Sequence, residues 1–144
     1  MRIAFALNID GEFEKTHFGD ADKYCIYNYA NGELNLLFEE VNQFKSMDEE
    51  SVHGKKEKAD QIIKFLEDKT VTVLVSRQFG ENVRYIASLF IPVKVKEEVP
   101  EKVKAILIKH MRWLQDEIEN HSERYNMFVM DRGILKQAVK KPRV

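Results

Sequence analysis

The sequence predicts an α/β protein in which a mixed sheet lies between helices. From about residue 55 onward, short apolar runs of strand length alternate with segments whose apolar residues recur every three to four positions, which is typical of amphipathic helices. In the first third of the chain, an Asn-Gly pair separates two strand-like runs, and this pair is a strong signal of a tight hairpin. Strands followed by helices imply parallel pairing with right-handed crossovers, whereas the hairpin is antiparallel.

The first third of the chain holds three predicted strands. Residues 2–8 (RIAFALN) are a short apolar run, which indicates a strand covered on both faces. Residues 23–30 and 33–41 flank the Asn-Gly pair, whose residues tolerate the positive φ angles of a type I′ turn. Residues 42–55 have many charges and no periodicity, so we expect a loop there.

Helices and strands alternate after this loop. A helix is predicted from Lys56, because apolar residues recur at i, i+3, i+4 and i+7 as one stripe. Residues 71–75 and 91–95 are apolar and rich in β-branched residues, so both are predicted strands. Residues 81–89 lie between them and show helical spacing, which predicts a second helix.

The C-terminal part of the chain is predicted to extend this core. Pro100 opens a third helix that runs to about Tyr125. The run NMFVM at residues 126–130 adds apolar surface, and we expect it to pack on the sheet, to add a strand or cover an edge, or to build a homodimer interface. The core then spans residues 1–95, and a helical extension spans residues 96–144.

Composition is typical of a globular protein in a reducing compartment. A length of 144 residues suits a single domain over residues 1–144 with its own core. The one cysteine excludes an intramolecular disulfide and an all-cysteine metal site within one chain. No apolar run approaches the ~20 residues of a membrane span, and the N-terminus turns polar too soon for a signal peptide, so we expect a cytoplasmic protein without a membrane partner. The formal charge of -1 provides no field to attract nucleic acid.

Three short motifs follow one another along residues 1–95. They are His-Phe-Gly at residues 17–19, His-Gly at residues 53–54 before the first predicted helix, and the strand-glycine-helix unit VTVLVSRQFGENVRYIASLF around Gly80. In this order, the motifs resemble the dinitrogenase iron–molybdenum cofactor biosynthesis family of nitrogenase accessory factor-like proteins, which bind or carry nitrogenase cofactor and its iron–sulfur precursors. The resemblance implies a three-layer α/β/α sandwich with a mixed five-stranded sheet, ribonuclease H-like in fold.

The resemblance also implies a binding site for an iron–sulfur-type or iron–molybdenum cluster. It makes His17 and His53 the expected metal ligands, and neutral imidazole is indeed a good ligand for iron. Taken by itself, His17 is more typical of a residue that caps a turn or hydrogen-bonds a backbone carbonyl, and His53 is more typical of a solvated loop residue. Cys25 is expected to be a small buried apolar residue. The cofactor-binding residues implied by the resemblance are His17, Phe18, Gly19, His53, Gly54, Arg77 and Gly80.

The predicted function is that of a non-catalytic metallocluster-binding or carrier protein, with a cluster donor or acceptor protein as its partner. No set of residues suggests a nucleophile, a base and an orienting group, so we do not expect an enzyme. A ribonuclease H-like nuclease would need carboxylates on the sheet, and the first strand has none before Asp10. The alternative is a regulatory or protein-interaction module that keeps the fold but has lost the site. The bulky turn at residues 76–80 and the long C-terminal extension favour this alternative.

Overall fold

The computed structural model describes residues 1–47, 52–96, 99–130 and 134–139. These residues form seven strands and four helices. The strands are β1 (Arg2–Leu7), β2 (Lys23–Ala30), β3 (Glu33–Val41), β4 (Val71–Ser76), β5 (Ile91–Lys94), β6 (Met127–Met130) and β7 (Ile134–Gln137). The helices are α1 (Val52–Asp68), α2 (Val83–Ile86), α3 (Pro100–Lys109) and α4 (Met111–Asn120). Within this described part of the chain, no helix combines the length and apolarity that crossing a bilayer requires.

All seven described strands belong to one mixed sheet in the order β3-β2-β1-β4-β5-β6-β7. The expected five-stranded sheet is therefore wrong, because the C-terminal extension adds β6 parallel to β5 and β7 antiparallel to β6. The hypothesis that the NMFVM run adds a strand is confirmed by β6. The ribonuclease H-like assignment and the single domain stay predictions.

The predicted hairpin is confirmed at β2 and β3. The connecting residues Asn31 and Gly32 have φ angles of 54° and 77°, as a type I′ turn requires. The pairing register shifts once, because Ile26 pairs with Phe38 whereas Tyr27 pairs with Leu36. A β-bulge of this kind increases the twist of the strand pair.

The helices differ from their predicted bounds. Helix α1 begins at Val52 and not at Lys56, because residues 53–58 are polar or glycine and give the apolar periodicity no signal. The predicted helix over 81–89 is shorter, since a 3-10 turn over Gly80–Asn82 leads into the four-residue α2. The predicted third helix is two helices, which are interrupted at His110 with φ -110° and ψ 19°. The apolar stripe continues across this interruption, so its periodicity alone indicates one helix.

Two apolar clusters lie on opposite faces of the sheet. Alternate residues of β1 point in opposite directions, so that Phe5 belongs to one apolar cluster and Ala6 to the other. Helices α3 and α4 cover the first face through residues such as Leu107. Helices α1 and α2 cover the second face through residues such as Ile62 and Ile86. We call these the α3–α4 face and the α1–α2 face.

The chain leaves neighbouring strands toward opposite faces of the sheet. From β4 it passes over the α1–α2 face through α2, and from β5 it passes over the α3–α4 face through α3 and α4. The connections from β4 to β5 and from β5 to β6 each lead to the next strand in the same direction across the sheet. Because they pass over opposite faces, the two crossovers have opposite handedness, and one of them is the rare left-handed form. A crevice is expected where such connections diverge, at the carboxyl ends of β4 and β5.

Candidate functional site

The loop that follows β1 carries His17 to the carboxyl end of β4. His17 forms an isolated parallel β-bridge with Gln78, just beyond the end of β4. The backbone N–H of Phe18 donates to the carbonyl oxygen of Gln78 at 3.0 Å. The His-Phe-Gly loop therefore acts as a short additional strand beside the turn that leads to Gly80.

The imidazole of His17 packs against Gly80. A Cβ atom built on Gly80 would lie 2.7 Å from Nδ1 and 2.8 Å from Cε1 of His17, closer than real side chains approach. Gly80 also has a φ angle of +66°, a left-handed conformation that other residues adopt only with strain. The backbone conformation thus favours glycine at this position, and a larger residue would also displace the His17 ring.

The ring of His17 is available for a ligand. Its side chain is exposed and makes no capping hydrogen bond to the 3-10 turn over Phe18–Asp20. Neither ring nitrogen has a hydrogen-bonding partner among residues 1–47, 52–96, 99–130 and 134–139. The alternative interpretation of His17 as a turn cap is therefore not supported within these residues.

Buried polar side chains hold the His17 loop from behind. The hydroxyl of Tyr24 donates to the carbonyl oxygen of Phe18 at 2.6 Å, and burial raises the pKa of Tyr24, so that it remains a donor. The side-chain amide of Asn42 donates to the carbonyl oxygens of Gly19 and Ala21, each at 2.9 Å. The Phe18 carbonyl oxygen also accepts from the backbone N–H of Ala21 at 3.4 Å, so these side chains add to the bonds that hold the turn.

Helix α1 supports the same loop through a buried ion pair. The ammonium of Lys58 lies 3.0 Å from Oδ1 of Asp20 and also donates to the carbonyl oxygen of Lys45 at 3.1 Å. Only 2% of the Lys58 side chain is exposed. Ile62 lies next to Gly19, where an added Cβ would be 3.5 Å from its Cδ1 atom. The loop is thus fixed by packing and by charge before any ligand arrives.

Two bulky residues of the turn at 76–80, Gln78 and Phe79, are held by packing and hydrogen bonds. Phe79 is buried on the α1–α2 face and packs against Phe18, with ring centroids 6.1 Å apart. The hydroxyl of Ser76 donates to the carbonyl oxygen of Gln78 at 2.9 Å. The side-chain amide of Gln78 donates to the backbone carbonyl oxygen of Lys15 at 3.2 Å. Gln78 and Phe79 therefore stabilise the turn and, together with Arg77, line the cavity beside Gly80.

A cavity of about 820 Å³ opens on the other side of Gly80, at the carboxyl ends of β4 and β5. This is the position at which the two chain connections diverge. Apolar side chains, among them Val83 and Met127, form part of its wall. Four basic residues also line it: Arg77, Lys94, Lys96 and Lys102. No carboxylate is present among the described residues of the lining.

His53 and Gly54 lie in the first turn of α1 and not in the loop that the sequence predicted. The side chain of His53 lies outside the described residues, so its role as a second ligand stays a prediction. The structure brings His17 and Gly80 into contact and places Arg77 in the adjoining cavity. Phe18 and Gly19 lie behind His17 as packing residues of the loop.

Cys25 lies inside the protein, as predicted. It is 5% exposed and belongs to the apolar cluster on the α3–α4 face together with Tyr27. Burial raises the pKa of its thiol, and the nearby Glu39 raises it further. Among the residues that the structure describes, no group of three or more His, Cys, Asp and Glu side chains is arranged to hold a metal ion. His17 therefore offers a single imidazole ligand and not a closed metal centre.

Several residues of this region were missed by the sequence analysis. Lys94 and Lys96 alternate at the end of β5, and Lys102 lies in the first turn of α3. The pattern VKVK at a strand's carboxyl end was a signal for the first two. Asn42 and Lys58 gave no such signal, because a loop asparagine and a helix lysine are usually solvated.

Comparison with known protein families is consistent with this geometry. Residues 1–109 match the family described as dinitrogenase iron-molybdenum cofactor. A comparison with curated proteins gives no match. The match covers well over half of the chain and includes the His17 loop, the start of α1, the Gly80 turn and the cavity's basic residues. The chain therefore belongs to the dinitrogenase iron-molybdenum cofactor family.

Proposed function

We propose that this protein binds the iron–molybdenum cofactor, or an iron–sulfur precursor of it, as cargo and does not itself catalyse a reaction. The observation that carries the proposal is the exposed imidazole of His17, which is seated on Gly80 without a protein partner among the described residues. Membership of the family supplies the chemical identity of the cargo.

The arrangement around His17 suits a large anionic cargo. A neutral imidazole donates a lone pair to iron without adding charge. Gly80 has no side chain, and the His17 ring occupies the space that a side chain would fill. The basic cavity on the far side of Gly80 provides a positive field at short range.

One firmly placed ligand is consistent with a carrier. A cluster held by three or four protein ligands is retained, whereas one held by one or two imidazoles from this chain can be passed to an acceptor protein. Tyr24, Asn42 and Lys58 already order the His17 loop, so ligand binding costs less conformational entropy. His53 is proposed as the second ligand on the basis of the family motif.

The alternative, a protein-interaction module without a cluster, is favoured by one feature of the sheet edge. Strand β3 has no neighbour on its outer side among the described strands. It exposes Leu36, Leu37 and Val41, of which Val41 is 73% exposed. An edge strand with apolar side chains is suited to pairing with another chain. This edge also suits a cluster donor or acceptor, so the alternative needs a separate experiment.

The test is anaerobic incubation with a cluster-loaded donor protein, followed by gel filtration and analysis of iron and molybdenum. We expect the wild-type protein to retain metal and His17→Ala to lose at least about 90% of it, because a single ligand contributes more than tenfold to affinity. The control is His121→Ala, since Nδ1 of His121 lies 3.1 Å and 3.0 Å from two backbone carbonyl oxygens at the end of α4. Equal metal content in wild type and His17→Ala would reject the proposal. Absence of metal from all three, with a stable complex to the donor, would favour the interaction module.

A further inference from the structure

The cavity beside Gly80 has properties that a metallocluster ligand does not require. Its volume of about 820 Å³ lies within the range of roughly 300–1,000 Å³ that is typical of small-molecule sites. It lies at the divergence of the β4 and β5 connections, which is the usual ligand position in open α/β sheets. Gly80 is among its lining residues and His17, which contacts Gly80, is not.

The charges of this cavity are unbalanced. Arg77, Lys94 and Lys102 have no carboxylate partner among the described residues. The neighbouring Glu97 and Glu98 lie outside those residues. Basic side chains that converge on one concavity repel each other, and this repulsion is relieved when an anion enters between them.

The start of α3 adds to the positive potential. Lys102 lies in its first turn, where the helix dipole already favours negative charge and disfavours a cation. The N-cap residue is Val99, which provides no side-chain hydrogen bond to the free backbone N–H groups. The same turn holds Glu101, which pairs with Lys104 at 2.7 Å and does not line the cavity, so Lys102 is the residue of this turn whose charge faces the cavity.

From these observations we infer that the cavity binds a small organic molecule that carries two or more carboxylate or phosphate groups. The cations are spread over β4, β5 and α3, so a single monovalent anion cannot contact all of them. Val83 and Met127 provide an apolar wall for the body of the ligand. This inference does not depend on the proposed metallocluster function, because it concerns the metal-free protein.

The experiment is isothermal titration calorimetry, in which citrate, ATP or inorganic phosphate is added to the metal-free full-length protein at constant ionic strength. We expect citrate or ATP to bind at least about tenfold more tightly than inorganic phosphate, because each spans several cations. Tighter binding of citrate would identify a polycarboxylate as the ligand class, and tighter binding of ATP would identify a phosphate ester. Failure of both to bind at millimolar concentration would overturn the inference.

Charge variants connect the binding to the cavity. We expect Lys94→Gln/Lys102→Gln to weaken binding at least about tenfold, because two charge-assisted contacts are lost. Both side chains are exposed, so the variant is expected to fold, which circular dichroism will verify. The matched control Lys64→Gln/Arg112→Gln removes the same charge from exposed positions on α1 and α4. Equal weakening in both double variants would overturn the inference, because it would indicate a general charge effect.

A second control separates this inference from the proposed function. His17→Ala is expected to change the affinity for citrate or ATP less than about twofold, because the imidazole does not line the cavity. Loss of metal retention together with unchanged anion binding in this variant would support both statements. Loss of anion binding in His17→Ala would contradict the inference that the anion site is separate from His17. The metallocluster proposal would be unaffected.

Discussion

The imidazole of His17 lies against the Cα atom of Gly80, with its Nδ1 and Cε1 atoms facing the position of the missing side chain. The two residues come from different loops, one after β1 and one after β4, and a β-bridge between His17 and Gln78 aligns them. The orientation of the ring is thus set by a glycine and not by a hydrogen bond to the ring among the described residues. This contact permits a direct test of whether the ring position matters.

We expect Gly80→Ala to lower the free energy of unfolding by about 2–3 kcal/mol, because it combines left-handed strain with a steric clash. The control is Gly11→Ala, which has a φ angle of +81° but no atom within 4 Å of the added Cβ, and which should cost about 1 kcal/mol. Urea denaturation measures both. In a His17→Ala background, the cost of Gly80→Ala should fall to that of Gly11→Ala. An unchanged cost in that background would show that the ring does not clash with the new methyl group.

The buried thiol of Cys25 should be inert and should play no part in binding cargo. Its pKa is raised by burial, so the reactive thiolate is depleted at neutral pH. We expect modification by a disulfide reagent at pH 8 to be at least about 100-fold slower in the native protein than in urea. Cys25→Ala should retain as much metal as the wild type. Fast modification of the native protein, or metal loss in the variant, would place the thiol in contact with the site.

Asp22 should make the stability of the His17 region dependent on pH. Its pKa is lowered, first by a hydrogen bond from Lys45 and then by the backbone N–H of Ile9, which donates to Oδ2 at 2.7 Å. A carboxyl group whose pKa is lowered in the folded state stabilises the protein at pH values above its ordinary pKa of 3.8. This contribution is lost as the pH falls through the folded-state pKa. Asp22→Asn should therefore be less stable than wild type at pH 7, and the difference should shrink between about pH 5 and pH 2.

The control for this prediction is Asp10→Asn, which removes the same charge from the same loop at an exposed position. Its stability difference from wild type gives the reference for removing one carboxylate charge from this loop. Urea midpoints measured in steps from pH 7 to pH 2 give both comparisons. Parallel pH profiles for wild type and Asp22→Asn would contradict the assigned role of the ion pair with Lys45.

Local features of the chain were predictable and non-local ones were not. The hairpin of β2 and β3 follows from the Asn-Gly pair and the alternation beside it, which act over a few residues. Strands β6 and β7 have four residues each, and a run of this length cannot be distinguished by period from a buried helix segment. The number of strands therefore required the structure.

The same distinction between local and non-local features applies to the candidate site. The family motifs identified His17 and Gly80, but the contact between them depends on β1 and β4 being parallel neighbours. The basic cavity depends in addition on the chain leaving β4 and β5 toward opposite faces, which no periodicity reveals. His53 was placed before the helix because the first turn of α1 lacks apolar periodicity.

The buried pair of Lys58 and Asp20 provides the last prediction, because its two members differ in exposure. The Lys58 side chain is 2% exposed, whereas that of Asp20 is 31% exposed. Removing the carboxylate leaves an ammonium inside the protein, so we expect Asp20→Ala to cost about 2–4 kcal/mol of unfolding free energy. Removing the ammonium leaves a carboxylate that water can reach, so Lys58→Met should cost at least about 1 kcal/mol less than Asp20→Ala.

The exposed pair of Lys104 and Glu101 is the control, since its ions are 2.7 Å apart but Glu101 is 83% exposed. Glu101→Ala should cost less than about 0.5 kcal/mol, as is usual for surface pairs. Amide hydrogen exchange tests whether the Lys58–Asp20 pair also orders the His17 loop. If the pair orders the His17 loop, the Phe18 N–H that bonds to Gln78 will exchange faster in Asp20→Ala than in Glu101→Ala. Equal exchange rates in the two variants would show that the pair stabilises α1 without positioning His17.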